Sequence, residues 1–320
     1  MMKNFNIAED TITTQITVTN GFFDGGVGTL AGSNLSTSSL STTQKSYYYN
    51  LQYNSKDHFS ITYGHIDGSG SAEESATVEG TTQAIYKQFY NFTEKSAENI
   101  RDNAGFQMID GTNGANTVKQ KGVYILSAER LQMKDRLNPG TWTINLSGST
   151  SDGTAASLQL TDDSKTVDAE SAPFGPRYNI VEGSAGTVTT AYTTKTYGFF
   201  YPDAGLMVFS SNALSSSLPG LPGLVQSGSG ILGFEGTGLT EDLRVADAVD
   251  NASKLVLAIQ KGTGITLRSE EQQYVYDYFC RARSSEFNLS QNLTFWSGSQ
   301  YEIRHSDMVT NPQTFISEVG

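Results

Sequence analysis

Cysteine occurs once in the 320 residues, at Cys280, so no disulfide can close within the chain and nothing indicates an oxidising compartment. Histidine occurs three times, as His58, His65 and His305, which is too few and too dispersed for most zinc or general-base sites. Charged residues are only 17% of the chain, and the 21 Lys and Arg are scattered among 33 Asp and Glu, leaving a net charge of −12. Tracking a phosphate backbone takes clustered basic residues, so nucleic acid is not an expected partner. No apolar run approaches the roughly 20 residues needed to cross a bilayer, so no membrane partner is expected either. The opening MMKNFNIAEDTITTQ has no apolar centre of the kind a signal peptide carries. The sequence thus predicts a chain that is not secreted. The sequons at Asn34, Asn91 and Asn288 then read as chance matches.

What the chain does contain is glycine (32 residues), much serine and threonine, and 11% aromatics. That aromatic content argues against global disorder. Low charge with many Thr, Tyr and Phe suits strands and turns better than helices. The predicted fold is mainly β, with β-sandwich-like antiparallel sheets and two or three short helices; α+β is the second choice. The length allows a substantial core. We divide the chain into a β-rich body over 1–217 with a helix near 83–92, a Gly-rich apolar arm or linker over 218–238, and a helix plus strands over 239–320 that can pack into the same body.

Phe59-Ser60-Ile61-Thr62-Tyr63 alternates apolar and polar residues, the period of a half-buried strand. Beyond a Gly-Ser loop, Ile85, Phe89 and Phe92 recur at helical spacing. Residues 5–23 read as an edge or pairing strand, and 24–43 as a long surface loop or an arm lying on a neighbour. Three consecutive tyrosines, Tyr47, Tyr48 and Tyr49, must point to both faces of a strand, so at least one is expected at an interface or in solvent. Residues 94–120 are polar and read as irregular. Val123-Tyr124-Ile125-Leu126 fits a strand covered on both faces. Asn138-Pro139-Gly140 is a turn before alternating Trp142, Ile144 and Leu146, and Pro202-Asp203-Ala204-Gly205 closes a hairpin spanning Tyr197 to Phe209. A helix is predicted from about Leu243 to Ile259, and a strand from Gln273 to Arg283.

The stretch from Leu218 to Gly238 is both Gly-rich and apolar. A solvated linker should not carry Leu218, Leu221, Leu224, Val225, Ile231, Leu232 and Phe234, so the stretch is either a loop draped over its own core or an arm that docks into another subunit. Arg281 and Arg283 share one face of a strand beside Glu286 and suit an ion pair across a subunit interface. These residues, with the three tyrosines, form the predicted contact set.

Reaction chemistry is harder to find. On a continuous strand His58 and His65 would face opposite sides, an odd number of residues apart. Gly228-Ser229-Gly230-Ile231-Leu232-Gly233 matches G-x-G-x-x-G, but a Pro-Gly coil precedes it and glycines follow, where a strand and a helix are required. Adjacent acids such as Glu73-Glu74, Asp162-Asp163 and Glu241-Asp242 diverge on a strand, whereas glycoside cleavage needs two converging carboxylates. Asp67-Gly68-Ser69-Gly70-Ser71 lacks the alternating ligands and terminal Glu of a calcium loop. The sequence predicts no catalytic, cofactor-binding or metal-ligating residue and no small-molecule substrate: a building block, not an enzyme.

Several short stretches occur in an order that resembles virion structural proteins of contractile-tailed phages, particularly those infecting cyanobacteria. They are Phe59 to Gly64 with its Gly-Ser continuation, Ala84-Ile85-Tyr86-Lys87-Gln88-Phe89, and Arg130 and Lys134 leading to Leu137-Asn138-Pro139-Gly140-Thr141-Trp142. Tyr197-Gly198, Tyr201 to Gly205, Glu286 to Ser290 and Asn311 to Ile316 follow. The resemblance implies a structural part of the tail, most often in the baseplate region, without cofactor or catalytic residues. It implies other virion proteins, and copies of the chain itself, as partners. It also implies assembly in the host cytoplasm and residence in the virion tail. A neck or head–tail connector protein is the first alternative, and a glycan-binding or glycan-cleaving receptor-recognition tail protein the second.

Overall fold

β-Branched and aromatic residues dominate the segments between glycine-containing turns, and they pair into sheets throughout the computed structural model. It describes residues 11–37, 48–68, 82–94, 105–220, 248–278, 296–297 and 302–303. In chain order come β1 (Thr11–Gly21), β2 (Thr29–Leu30), β3 (Ser36–Thr37), β4 (Tyr49–Tyr53), β5 (Lys56–His65) and helix α1 (Thr82–Thr93). Next are β6 (Gln107–Met108), β7 (Val118–Lys119), β8 (Gly122–Ala128), the single-turn α2 (Arg130–Met133), β9 (Arg136–Leu137), β10 (Thr143–Ser149) and β11 (Ala155–Asp162). They are followed by β12 (Glu170–Ala172), β13 (Gly175–Ser184), β14 (Thr187–Val188), β15 (Gly198–Tyr201), β16 (Leu206–Ser210) and α3 (Ser211–Ser217). Helix α4 (Ala248–Gln260), β17 (Ile265–Thr266), β18 (Arg268–Tyr278), β19 (Trp296–Ser297) and β20 (Glu302–Ile303) complete the described elements.

The chain divides into two compact units, one of Thr17–Gln272 and one of Met1–Ile16 with Gln273–Gly320. In the first, 13 strands form one curled antiparallel sheet along the path β2-β17-β10-β11-β13-β15-β16-β8-β5-β4-β3, with β12 and β14 pairing to β13. The fold is mainly β with few helices. Beside this largest sheet, β18 pairs with β1 and β9 in a three-stranded one, and β6–β7 and β19–β20 form two further pairs. Helix α4 packs against β4, β5 and β10, strands far apart along the path, so the sheet curls around it. Ala252, Leu255, Val256 and Ile259 of that helix share a core with Ile61, Tyr63, Ile144 and Leu146.

Strand parity sorts the two faces. Tyr124 and Leu126 of β8 join the core containing α4, whereas Val123 and Ile125 join a second core with Tyr86, Phe106, Met108, Phe199 and Val208. The expectation that β8 is covered on both faces holds. Strand β5, expected to be half-buried, is covered on both sides too: α1 packs on it so closely that a Cβ on Gly64 would meet Tyr86 N at 2.8 Å. Of the predicted Ile85–Phe89–Phe92 stripe, Ile85 and Phe89 pack half-buried against the second core and Phe92 does not. Tyr86 is the buried aromatic, and Phe92 is exposed and stacks on Phe174 at 3.8 Å between centroids. The reason is the bulk of Tyr86, whose hydroxyl reaches across to donate to Gln120 O at 2.6 Å and to accept from Phe106 N at 3.0 Å.

Two further readings need correction. Residues 24–37 are not an arm. They form short 3-10 turns and strands that bury Leu30 and Leu35 in the unit's own core, and Gln260 donates to Leu35 O at 2.9 Å. The stretch 94–120 is not merely polar and irregular, because within 105–120 β6 and β7 pair and Phe106, Met108, Asp110 and Gln120 are buried. The turn at 138–140 and the hairpin closed by Pro202 to Gly205 are as expected, and Gly205 has φ +66°, a conformation that β-carbon sterics make costly for other residues. In the second unit β19 pairs antiparallel with β20, Trp296 opposite Ile303.

Candidate interaction surface

The outer parts of β1 and β18 lie in the second unit, and their sequences are strand-forming but oddly uncharged. Residues 11–16 are Thr, Ile, Thr, Thr, Gln and Ile; residues 273–278 are Gln, Tyr, Val, Tyr, Asp and Tyr. Strand β1 is the hydrogen-bonded neighbour of β18. From residue 272 onward every residue of β18 is exposed, on both faces. Tyr274 is 57% exposed, Tyr276 53% and Ile12 54%, with Ile16 and Val275 exposed beside them. The Tyr276 and Tyr278 rings run nearly parallel, 6.5 Å between centroids. Natural sheet margins are usually blunted with Lys, Pro or inward-pointing charges. Among the described residues these two strands expose Ile, Val and Tyr with Asp277 as the one charge over 11–16 and 273–278.

The earlier part of β18 is rigidly placed. Its Ser269 and Glu270 pair with Leu137 and Arg136 of β9. Arg136 donates to Glu270 at 2.8 Å, Lys134 to Glu271 at 2.7 Å, and the Gln272 amide to Asp135 at 2.8 Å. The bond to Glu270 pushes the Arg136 pKa further up, so that charge is permanent. Each of these interactions lies before residue 273, where the exposed tyrosines begin.

Of the predicted contact set, Tyr48 is half-exposed, as one of three consecutive tyrosines had to be. Tyr49 is buried in the core, because it begins β4 directly under the sheet's own cover. Leu218 is also buried, ending α3 with its amide bonded to Leu214 O, so it is not an interface residue. Tyr47, Leu221, Leu224, Val225, Ile231, Leu232, Phe234, Arg281 and Arg283 lie outside the described residues, as do Cys280, His305 and the match at 228–233. Reasoning from sequence named residues 273–283 as a strand but overlooked Ile12, Ile16, Tyr274, Val275 and Tyr276 as a surface. The available signal was the run of large side chains on both parities with a single charge.

Among the described residues, both histidines of the candidate chemistry and the adjacent aspartates can be placed. His58 and His65 are both buried in β5. A β-bulge there, with Phe59 opposite Leu51 and Asp57 opposite Gln52, leaves His58 as the extra residue. His58 therefore stands beside Phe59 on the same cluster of Phe22 and Phe23, and counting parity along a continuous strand does not place it. Its Nδ1 bonds Lys56 O at 2.9 Å, and its Nε2 lies 3.9 Å from Asp24.

Asp162 and Asp163 diverge. Asp162 accepts from Gly140 N at 2.8 Å, and Asp163 from the Asn179 amide and side chain at 3.0 and 2.8 Å. Burial pushes both pKa values up. Buried Asp110, Gln120 and Ser210 form a hydrogen-bonded chain that exposed Asn212 joins at Asp110, and Ser210 also caps α3 by accepting from Ala213 N at 3.0 Å. Among the described residues no three His, Cys, Asp or Glu stand together as a metal-ligand set, and no helix is long and apolar enough to cross a membrane.

Comparison of the chain with protein-family models, with curated proteins and with solved structures finds no match.

Proposed function

We propose that this chain is a structural component of a tailed-phage virion, in the tail baseplate region, acting through protein–protein contacts. The observation that carries the reading is the ribbon of Ile12, Ile16, Tyr274, Val275 and Tyr276, exposed and almost uncharged on a chain of net charge −12. Assembling proteins join by adding strands or burying apolar patches on neighbours, and such a ribbon offers both. The ordered short stretches that resemble contractile-tail structural proteins supply the particle. A tail part is made in the host cytoplasm and released by lysis, which agrees with the single cysteine.

Gold-labelled antibody on purified particles tests the location. Label at the baseplate is expected; label at the neck would move the chain to the connector, and particles without the chain would overturn the reading. One observation favours a second reading, because Tyr274, Tyr276 and Tyr278 alternate and so share one strand face, the arrangement of a sugar-stacking strip. Incubating the purified chain with host surface polysaccharide separates the two. Saturable binding or released oligosaccharide would make it a receptor-recognition protein.

A further inference from the structure

Resting on the reading of the ribbon as a contact surface, we propose that its partner is a second copy of this chain, its β18 running antiparallel to the first about a two-fold axis at Val275. Charge argues for where copies meet. Two chains of net charge −12 repel, and they approach most readily where charge is thin. Residues 11–16 carry no charge, and 273–278 carry only Asp277. Strand β9 flanks β18 only at Ser269 and Glu270, so among the described residues no strand occupies that side from 273 to 277.

The order of residues is self-complementary about one point. A two-fold axis normal to paired antiparallel strands sets one residue opposite itself, and its neighbours exchange across the axis. Centred on Val275, Tyr274 faces Tyr276 of the other copy, and Gln273 faces Asp277, giving the carboxylate an amide donor. Centring on Tyr274 would set Glu271 against Asp277, and centring on Asp277 would set that residue against itself, both like-charge pairs. Centring on Tyr276 would leave Asp277 opposite a valine. The same strand argues against sugar as the occupant. Asp277 lies on the parity opposite to the tyrosines, so within 273–278 their face offers no carboxylate to sugar hydroxyls.

The test uses the full chain. Light scattering after size exclusion is expected to show a dimer or a multiple of one. Tyr274→Lys with Tyr276→Lys is expected to give monomer with an unchanged thermal melt, since both side chains are exposed. In a Cys280→Ser background, Val275→Cys is expected to form a covalent dimer under mild oxidation, several-fold more than Thr13→Cys. A wild-type monomer at high micromolar concentration, or no preference for Val275→Cys over Thr13→Cys, would overturn the second copy as partner. If the monomer still enters particles, the virion reading stands without this inference; if it binds polysaccharide instead, both fall.

Discussion

The Arg177 guanidinium donates to both carboxylate oxygens of Glu94, at 3.0 and 2.9 Å, and so ties the residue after α1 to strand β13. Arg177 also lies 4.1 Å over the Phe199 ring and bonds Glu170, while the Tyr201 hydroxyl donates to Glu94. Burial, then the Glu94 charge, hold the Tyr201 pKa well above its ordinary value, so the hydroxyl stays a donor. One cation thus serves two carboxylates, Glu94 and Glu170.

Arg177→Met should therefore cost more than loss of one hydrogen bond. It leaves Glu94, mostly buried, without its cation. Breaking a fully buried pair costs about 3–5 kcal/mol, and partial exposure reduces that to roughly 2. Tyr201→Phe removes one bond to a charged group and should cost about 1.5 kcal/mol. Urea unfolding of the two variants checks the order; equal or reversed losses would show that Arg177 is not the anchor.

Two buried aspartates should impose opposite pH dependences. Burial raises the Asp162 pKa against the pull of bonds from Ser164 and Gly140. Its stabilising contribution is then complete below the ordinary carboxylate value near pH 4 and is lost as pH rises through the raised one. For Asp110 burial again acts upward, but bonds from Thr112, Gln120 and Asn212 outweigh it and the pKa is lowered. Its contribution is complete above about pH 4 and is lost as pH falls through the lowered value. In thermal melts, the margin of wild type over Asp162→Asn should shrink toward neutral pH. The margin over Asp110→Asn should grow in the same direction. Parallel trends would contradict the assignment.

Gly64→Ala probes the seat of α1. The added methyl would meet Tyr86 N at 2.8 Å and Tyr86 Cα at 2.9 Å, which are backbone atoms that cannot swing aside. Overpacking of this kind costs about 1–3 kcal/mol. Hydrogen exchange should show faster amide exchange in α1 and little change in α4, which packs on the other face. Uniform acceleration would mean that α1 is not a separate unit of stability.

Trp142 is fully buried, edge-on to Phe200 at 5.5 Å, and its indole N–H has no hydrogen-bond partner among the described residues. Shape, not polarity, holds it there. Trp142→Phe should cost under about 1.5 kcal/mol, whereas Trp142→Ala should cost about 3–5. A large loss in the Phe variant would point to a bonded partner, such as a buried water.

The β-rich composition, the turns at Asn138-Pro139-Gly140 and Pro202 to Gly205, and the two-sided cover of Val123 to Leu126 are local properties, readable from neighbouring residues alone. The helical spacing places Ile85 and Phe89 on the core side of α1 but does not single out Tyr86, since all three are apolar enough to face a core. Only the approach of Gln120 and Phe106 selects Tyr86. The bulge at His58 left no mark in the residues, since it comes from how β4 and β5 align.

The amino-acid order was sufficient to settle that this chain forms strands, carries little charge and has one thiol, because propensity and charge reside in each residue. Folding alone settled that β5 joins β8, that one helix is gripped by both ends of a curled sheet, and that Leu218 is hidden while Tyr274 and Tyr276 face water. A strand that will be buried and one that will be exposed can read alike, since burial depends on what arrives from elsewhere in the chain.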